Sequence, residues 1–289
     1  MSINIKHYPK NRICDEFYLV TKFLNLYAAK TYSKNWHWGR WEWLLSHPNL
    51  DETTLPSIGL VVDGEEIVGL VTHDMREPAY ILRCDDVLIP QMLDYTEANF
   101  SKNGITKIFV DEKDTVLISA VKARGFNVTE QTEHSLILNC TKKLAYELES
   151  KFSISDYHTD RNIDKYKAVI HKGFGDEGEP PKGLTEADFH KQPHRNRQLS
   201  VFIVAPDGEY AAHCGTWHSP DTDICYVEPV VTTPEYRGQG LGKAVVYESI
   251  NRCIEMGAKK AIVISDQPFY YNIGFEDYSI NRLWEKKAS

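Results

Sequence analysis

This 289-residue sequence is short of several features that would assign it at once. Its six cysteines, Cys14, Cys84, Cys140, Cys214, Cys225 and Cys253, are scattered. None forms a CxxC or joins a histidine at zinc spacing, which speaks for buried thiols and against a structural metal. No apolar run approaches the roughly 18–20 residues of a membrane span, and the opening MSINIKHYPKNRICDEF has neither an apolar stretch nor a small-residue cleavage pattern. The expectation is a cytoplasmic protein with no membrane partner. Positive charge is also in short supply, with 33 Lys and Arg against 41 Asp and Glu for a net charge of −8. That balance offers no field for nucleic acid, so an anionic ligand needs a locally built site. What is present is an ordinary globular composition, 42% hydrophobic and 26% charged, over a length that suits two domains.

Two stretches of the chain follow one plan. In the first, Phe17–Tyr32 is amphipathic, Ile58–Val62 and Glu66–Thr72 flank the turn Asp63-Gly64, and Pro90–Phe100 has helical spacing. Lys107–Val110 reads as a strand, and Gly125-Phe126 precedes a last strand at Ser135–Leu138. In the second, Asp164–Phe174 is helical, and Ser200–Val204 and Tyr210–Trp217 flank Asp207-Gly208. There Ile224–Val231 is a long strand, Leu241–Met256 a helix and Lys260–Ile264 a strand, and Gly274-Phe275 precedes Tyr278–Trp284. Turn glycine and Gly-Phe glycine stand 61 residues apart in the first stretch and 66 in the second. The pattern is one architecture used twice, with domains expected at 1–145 and 150–289. The polar segment Cys140–Tyr157 is the candidate linker, and Lys142–Ser150 within it has helical character.

One segment carries a specific chemical signal. Val230-Val231-Thr232-Thr233-Pro234-Glu235-Tyr236-Arg237-Gly238-Gln239-Gly240-Leu241-Gly242-Lys243 joins a strand to a helix, with glycines at alternate positions. Such a turn brings backbone close to a ligand, and the helix that follows presents unpaired N–H groups and the positive end of its dipole. Phosphate oxygens suit that site, and Arg237 and Lys243 add positive charge. A Walker A loop would need Gly at 237 and Ser or Thr at 244, where Arg237 and Ala244 stand. A dinucleotide fingerprint would need its third glycine one residue beyond Gly242. A turn whose glycines only relieve crowding is the remaining reading of the residues alone.

The segment resembles the acetyl-coenzyme A loop of the GNAT (Gcn5-related N-acetyltransferase) superfamily, Arg or Gln, two residues, Gly, one residue, Gly or Ala. Arg237, Gly240 and Gly242 fill those places. Downstream, Phe269-Tyr270-Tyr271-Asn272-Ile273-Gly274-Phe275 resembles the family's Phe-Tyr-x-x-x-Gly-Phe signature. The resemblance is strong over Ser200–Trp284 and architectural over the first half. There Tyr80–Leu88 aligns with the loop but holds no glycine and carries Asp85 and Asp86, as in a degenerate copy that has lost its cofactor site.

The resemblance implies an α/β (α+β) protein of two GNAT-like domains, each a mixed, mostly antiparallel twisted sheet flanked by helices. It also implies N-acetyl transfer from acetyl-coenzyme A, with no metal, by direct attack of an amine in a ternary complex. Val230 and Val231 N–H groups become candidates for holding the pantetheine arm and polarising the carbonyl, and the amides of Gln239, Gly240, Leu241, Gly242 and Lys243 for the pyrophosphate, with Arg237, Gly238 and Tyr270 also at the cofactor. Tyr270 takes the place of the acid that protonates the leaving thiolate, with Tyr271 the competing assignment. Glu228, two residues before Val230 on a strand whose alternation would put both on one face, is the candidate base. His213, His218 and Cys225 are weaker rivals.

Two features bear on the acceptor. Four of the six tryptophans lie in Trp36-His37-Trp38-Gly39-Arg40-Trp41-Glu42-Trp43, and Trp38 and Trp41 either line an acceptor pocket between the domains or pack the core. The acidic stretch Gly173–Pro181, with Glu177 and Glu179, would suit a polyamine or aminosugar, or is simply a solvated loop. The expected acceptor is a small-molecule primary amine. A protein or peptide amine and a non-catalytic acetyl-coenzyme A sensor are the alternatives, and monomer and homodimer are both compatible.

Overall fold

The structure is a computed structural model that describes residues 3–27, 36–47, 49–75, 77–180 and 192–287. The chain divides into two compact units, one of Met1–Leu136, Ile264–Gln267 and Asp277–Ser289, the other of Ile137–Val263 and Pro268–Glu276. In chain order the elements are β1 (Ile3–His7), α1 (Asp15–Tyr27), α2 (Trp38–Ser46), β2 (Gly59–Asp63), β3 (Glu66–His73), β4 (Ala79–Arg83), α3 (Ile89–Asn99), β5 (Ser101–Lys102), β6 (Ile105–Asp111), α4 (Thr115–Ala123) and β7 (Asn127–Asn139). There follow β8 (Ser153–Asp156), α5 (Ile163–Phe174), β9 (Ser200–Val204), β10 (Tyr210–His218), β11 (Ile224–Thr232), α6 (Leu241–Glu255), β12 (Lys260–Ile264), α7 (Pro268–Asn272) and β13 (Glu276–Lys287).

In the first unit β1, β2, β3 and β4 pair antiparallel in sequence order, β4 runs parallel to β6, and β6 pairs antiparallel with β13. The last strand of the chain therefore completes the first unit's sheet, because Asn281–Lys287 pairs with Asp111–Ile105. Val61, Val71, Ile81, Ile108, Val110 and Trp284 bury one face of this sheet together with Leu93 of α3 and Leu117 and Val121 of α4. In the second unit β8, β9, β10 and β11 pair antiparallel and β11 runs parallel to β12. Both sheets are thus mixed and mostly antiparallel, as expected, and the two units repeat the succession of helix, three-stranded meander, helix and parallel strand.

The helices begin where local chemistry starts them. Asn162 accepts from the Lys165 amide to cap α5, and Asp114 accepts from the Leu117 amide to cap α4. Of the expected first helix, Phe17–Tyr27 lies in α1, and residues 28–35 lie outside the described ones. Lys142–Ser150 is not helical. The Leu144 N–H donates to Asn251 Oδ1 at 2.7 Å and its carbonyl accepts from Asn251 Nδ2 at 3.0 Å, so a side chain of α6 takes the bonds a helix would have used.

One helix position fixes the second unit. A Cβ on Gly173, in the last turn of α5, would overlap the Val231 side chain of β11. This close approach requires glycine. Gly173→Ala is expected to cost about 1–3 kcal/mol of stability through overpacking, read as a lowered chemical denaturation midpoint. An unchanged midpoint would show that α5 tolerates a shift from β11.

Candidate active site

β11 pairs with β12 only through Ile224, Cys225 and Tyr226, so Val227–Thr232 runs on with its β12-facing edge unpaired among the described strands. On the other edge, the pairing with β10 slips. Cys214 stands opposite Val230 and Thr216 opposite Val227, which inserts an extra residue at Glu228-Pro229. Strict alternation from Glu228 to Val230, on which the sequence argument for the base relied, is therefore interrupted. Beyond the bulge the Thr233 amide donates to the Ala211 carbonyl at 3.0 Å. Antiparallel pairs exchange bonds at every second residue, so the Val231 amide turns to β10 and the Val230 amide to the open edge. Of the two valines expected at the pantetheine arm, Val230 has the amide on the open side.

After β11 a single 3-10 turn, Pro234–Tyr236, leads into the glycine loop. Gly238 and Gly240 adopt φ of +77° and +76°, and a Cβ on either would meet no atom within 4 Å. Gly240 is also the N-cap of α6, and no side chain caps that helix. The first amides of this 15-residue helix thus lack an internal acceptor at a place where the backbone stands open, which fits a bound pyrophosphate. Leu241 is buried beneath the loop and Gln239 is exposed. Gly242 packs against the Phe269 ring and the Thr232 hydroxyl.

The loop's cations are placed differently from the expectation. Arg237 donates Nε to the Thr232 carbonyl at 3.1 Å and Nη2 to the Gly173 carbonyl at 2.8 Å, clamping the end of α5 to the end of β11. Carbonyls in the last turn of a helix lack amide partners, and Arg237 supplies one. Lys243 is exposed, with its ammonium 5.2 Å from the centre of the Tyr247 ring.

Tyr270, on α7, is only 7% exposed, whereas its rival Tyr271 is 38% exposed. Burial holds the Tyr270 phenol well above its ordinary pKa, with the nearby Glu228 charge and then Cys214 adding to the effect. Glu228 and Tyr270 thus sense each other electrostatically, and the phenol stays protonated through the neutral range. Trp217 Nε1 donates to the Glu228 carbonyl at 3.1 Å and pins the bulge. The other base candidates have structural surroundings. His213 is fully buried, with Nε2 2.9 Å from Ser200 Oγ, and burial, reinforced by the Arg195 charge, lowers its pKa. His218 meets the Ile224 and Met256 carbonyls. Cys225 is buried, and its thiol is pushed up by its hydrogen bond to Cys253 and by desolvation.

The acceptor candidates separate. Glu177 and Glu179 are exposed beyond the end of α5, which closes on Gly175 with φ +77°, and Pro181 of that stretch lies outside the described residues. Trp38 and Trp41, at 2% and 0% exposure, are packed into the first unit, Trp41 against Tyr8 and Phe17. Rings so enclosed present no face to a ligand. In that unit the strand corresponding to β11 is regular, because β3 and β4 pair without slippage from Gly69–Arg83 to His73–Ala79. Its end is locked where Arg83 donates to both Asp114 oxygens at 2.7 and 2.9 Å and pairs with Asp86 at 2.6 Å. No glycine loop or bulge forms there, although β4 too leaves its parallel neighbour, pairing with β6 only at Ala79 and Tyr80. Among the described residues no group of three metal-ligating side chains is assembled and no helix is long and apolar enough to cross a membrane.

A strand that leaves its parallel neighbour, a glycine loop on an uncapped helix and a buried tyrosine come together in the second unit. Residues 166–275 match the acetyltransferase (GNAT) family. A Bacillus subtilis (strain 168) protein assigned as a ribosomal protein bS18-alanine N-acetyltransferase is 25% identical over 104 residues, 34% of this chain and 68% of that one. A tandem GNAT protein from the clavulanic acid biosynthesis pathway superposes with a TM-score of 0.59 at 12% identity, covering 100% of this chain and 99% of its own. A GCN5-related N-acetyltransferase from Sphaerobacter thermophilus gives 0.56 at 12% identity, covering 99% and 95%. At these identities the two structures establish the shared fold alone.

Three placements were not legible in the sequence. The slip at Glu228-Pro229 arises between strands, Arg237 turns inward because α5 ends beside it, and Arg195 lies over the Tyr166 and Trp217 rings, 5.6 and 5.9 Å from their centres. The basic run His194-Arg195-Asn196-Arg197 was the available signal for the last.

Proposed function

We propose that the second unit transfers an acetyl group from acetyl-coenzyme A to the primary amine of a small molecule, by direct attack in a ternary complex. The observation that carries this reading is the uncapped start of α6 under Gly238 and Gly240, beside the open edge of β11 and the Glu228–Tyr270 pair. Acetyl-coenzyme A supplies the acetyl group as a thioester. The amides of Gly238, Gln239, Gly240, Leu241, Gly242 and Lys243 are assigned to its pyrophosphate, and the Val230 N–H to its arm and carbonyl. Glu228 takes one proton from the acceptor's ammonium, directly or through water, so that the free amine attacks, and the Tyr270 hydroxyl gives its proton to the leaving thiolate and regains one as the amide nitrogen loses its second.

A panel of polyamines, aminosugars and amino acids, assayed for released free thiol, tests the reading. Turnover of a small amine is the expected result. Silence across the panel with acetyl-coenzyme A still bound would overturn it in favour of a sensor. The name of the Bacillus subtilis relative favours a second reading, a protein N-terminus as acceptor, which acetylation of a peptide array would reveal. Glu228→Gln is expected to lower kcat/KM about tenfold at neutral pH, with acetyl-coenzyme A affinity by calorimetry unchanged. Equal turnover by the variant would remove the base role.

A further inference from the structure

Two contacts tie the short helix that carries Tyr270 to the helix that starts at the glycine loop. At one end, a Cβ on Gly242 would stand 3.2 Å from the Phe269 ring, so the first turn of α6 lies in close approach to the residue before Tyr270. At the other end, the Tyr247 hydroxyl of α6 donates to the Ile273 carbonyl at 2.6 Å. Phe269 and Ile273 bracket Tyr270, and the two contacts therefore straddle it.

The Ile273 carbonyl is a place where such a bond has leverage. α7 has only five residues, too few for its internal hydrogen bonds to hold it rigid alone. The turn that follows closes on Tyr270 itself, whose carbonyl accepts from the Ile273 amide at 3.2 Å and from the Phe275 amide at 3.0 Å. A carbonyl beyond the last turn of a helix takes its partner from outside that helix, and Tyr247 supplies one. Tyr247 is half-buried, and burial holds its phenol above the ordinary pKa, so the hydroxyl stays a donor through the neutral range. Its ring lies under the ammonium of Lys243, whose amide is assigned to the pyrophosphate. One side chain thus meets both the start of the cofactor helix and the turn that closes on the acid.

Resting on the acid role proposed for Tyr270, we infer that Tyr247 is a positioning residue, whose hydroxyl fixes the Tyr270 phenol relative to the start of α6 and so to the thioester. Tyr247→Phe removes the hydroxyl and keeps the ring. With any amine that the panel turns over, it is expected to lower kcat about threefold to tenfold, while acetyl-coenzyme A affinity by calorimetry stays within about twofold of wild type. In a Tyr270→Phe background the same substitution should leave kcat nearly unchanged, because the group it positions is gone. An equal loss in both backgrounds would show a general loosening of the site and overturn the role, as would an unchanged kcat in Tyr247→Phe or a loss confined to cofactor affinity. Should no amine turn over, or should Tyr270→Phe keep the wild-type kcat, the function reading fails on its own and the placement of Tyr270 still decides the inference. Fluorine NMR of the full chain with 3-fluorotyrosine at position 270 reads that placement. Tyr247→Phe is expected to shift or broaden the resonance, and a resonance identical to that of the parent chain overturns the role.

Discussion

Gly240→Asp is expected to weaken acetyl-coenzyme A binding by at least about 100-fold, some 2.7 kcal/mol, as measured by calorimetry. Two effects weaken binding, and strain at the substituted position bears on stability. Gly240 sits at φ +76°, where a side chain is disfavoured by about 1–2 kcal/mol, although aspartate tolerates the conformation better than most residues. The new Cβ meets no protein atom within 4 Å, so the carboxylate projects into the open space assigned to the pyrophosphate. There it repels the ligand's charge and can itself cap the first amides of α6, taking the donors the ligand needs. The new cap offsets the strain in the free protein while it excludes the ligand, so the denaturation midpoint should stay near the wild-type value. Affinity within a factor of two of wild type would mean that the glycines only relieve crowding at a tight turn.

Tyr270→Phe should lower kcat tenfold to a few hundredfold, with the KM for acetyl-coenzyme A nearly unchanged. The ring keeps its packing, since Tyr270 lies edge-on to both Phe269 and Phe275, and only the hydroxyl is lost. The sign of the pKa shift supports the assignment. Burial, with the Glu228 charge and Cys214 behind it, moves the phenol upward, so it remains a proton donor throughout the neutral and mildly alkaline range. No alkaline loss of kcat below about pH 10 should then trace to Tyr270, because its folded pKa lies above the ordinary value. The same shift makes the buried phenol a stability liability only above pH 10, where the unfolded chain ionises first. An unchanged kcat in Tyr270→Phe would transfer the acid role to solvent or another group.

Much of the fold followed from local pattern. Ser200–Val204 and Lys260–Ile264 are strands with the expected bounds, and α5, β10, β11 and α6 differ from their sequence readings by one residue at an end. The glycine loop was legible because positive φ and an uncapped helix start are local properties written in residue type. The tryptophan run could be read two ways, since aromatic rings suit a ligand pocket and a core equally. Burial of Trp38 and Trp41 against neighbours distant in sequence decided between them. The helical character of Lys142–Ser150 lost to Asn251, a partner 107 residues from Leu144.

The sequence alone therefore determined that one half carries a glycine loop running into a helix start and that the other half lacks it, because both depend on which residues stand in one short stretch. Tertiary structure decided how that loop is used. Pairing with β10 turns the Val231 amide away and the Val230 amide outward, the end of α5 draws Arg237 into a clamp, and the extra residue at Glu228-Pro229 resets the alternation on which the choice of base depended. Each of these follows from a partner strand or helix far along the chain, whose register no run of neighbouring residues specifies.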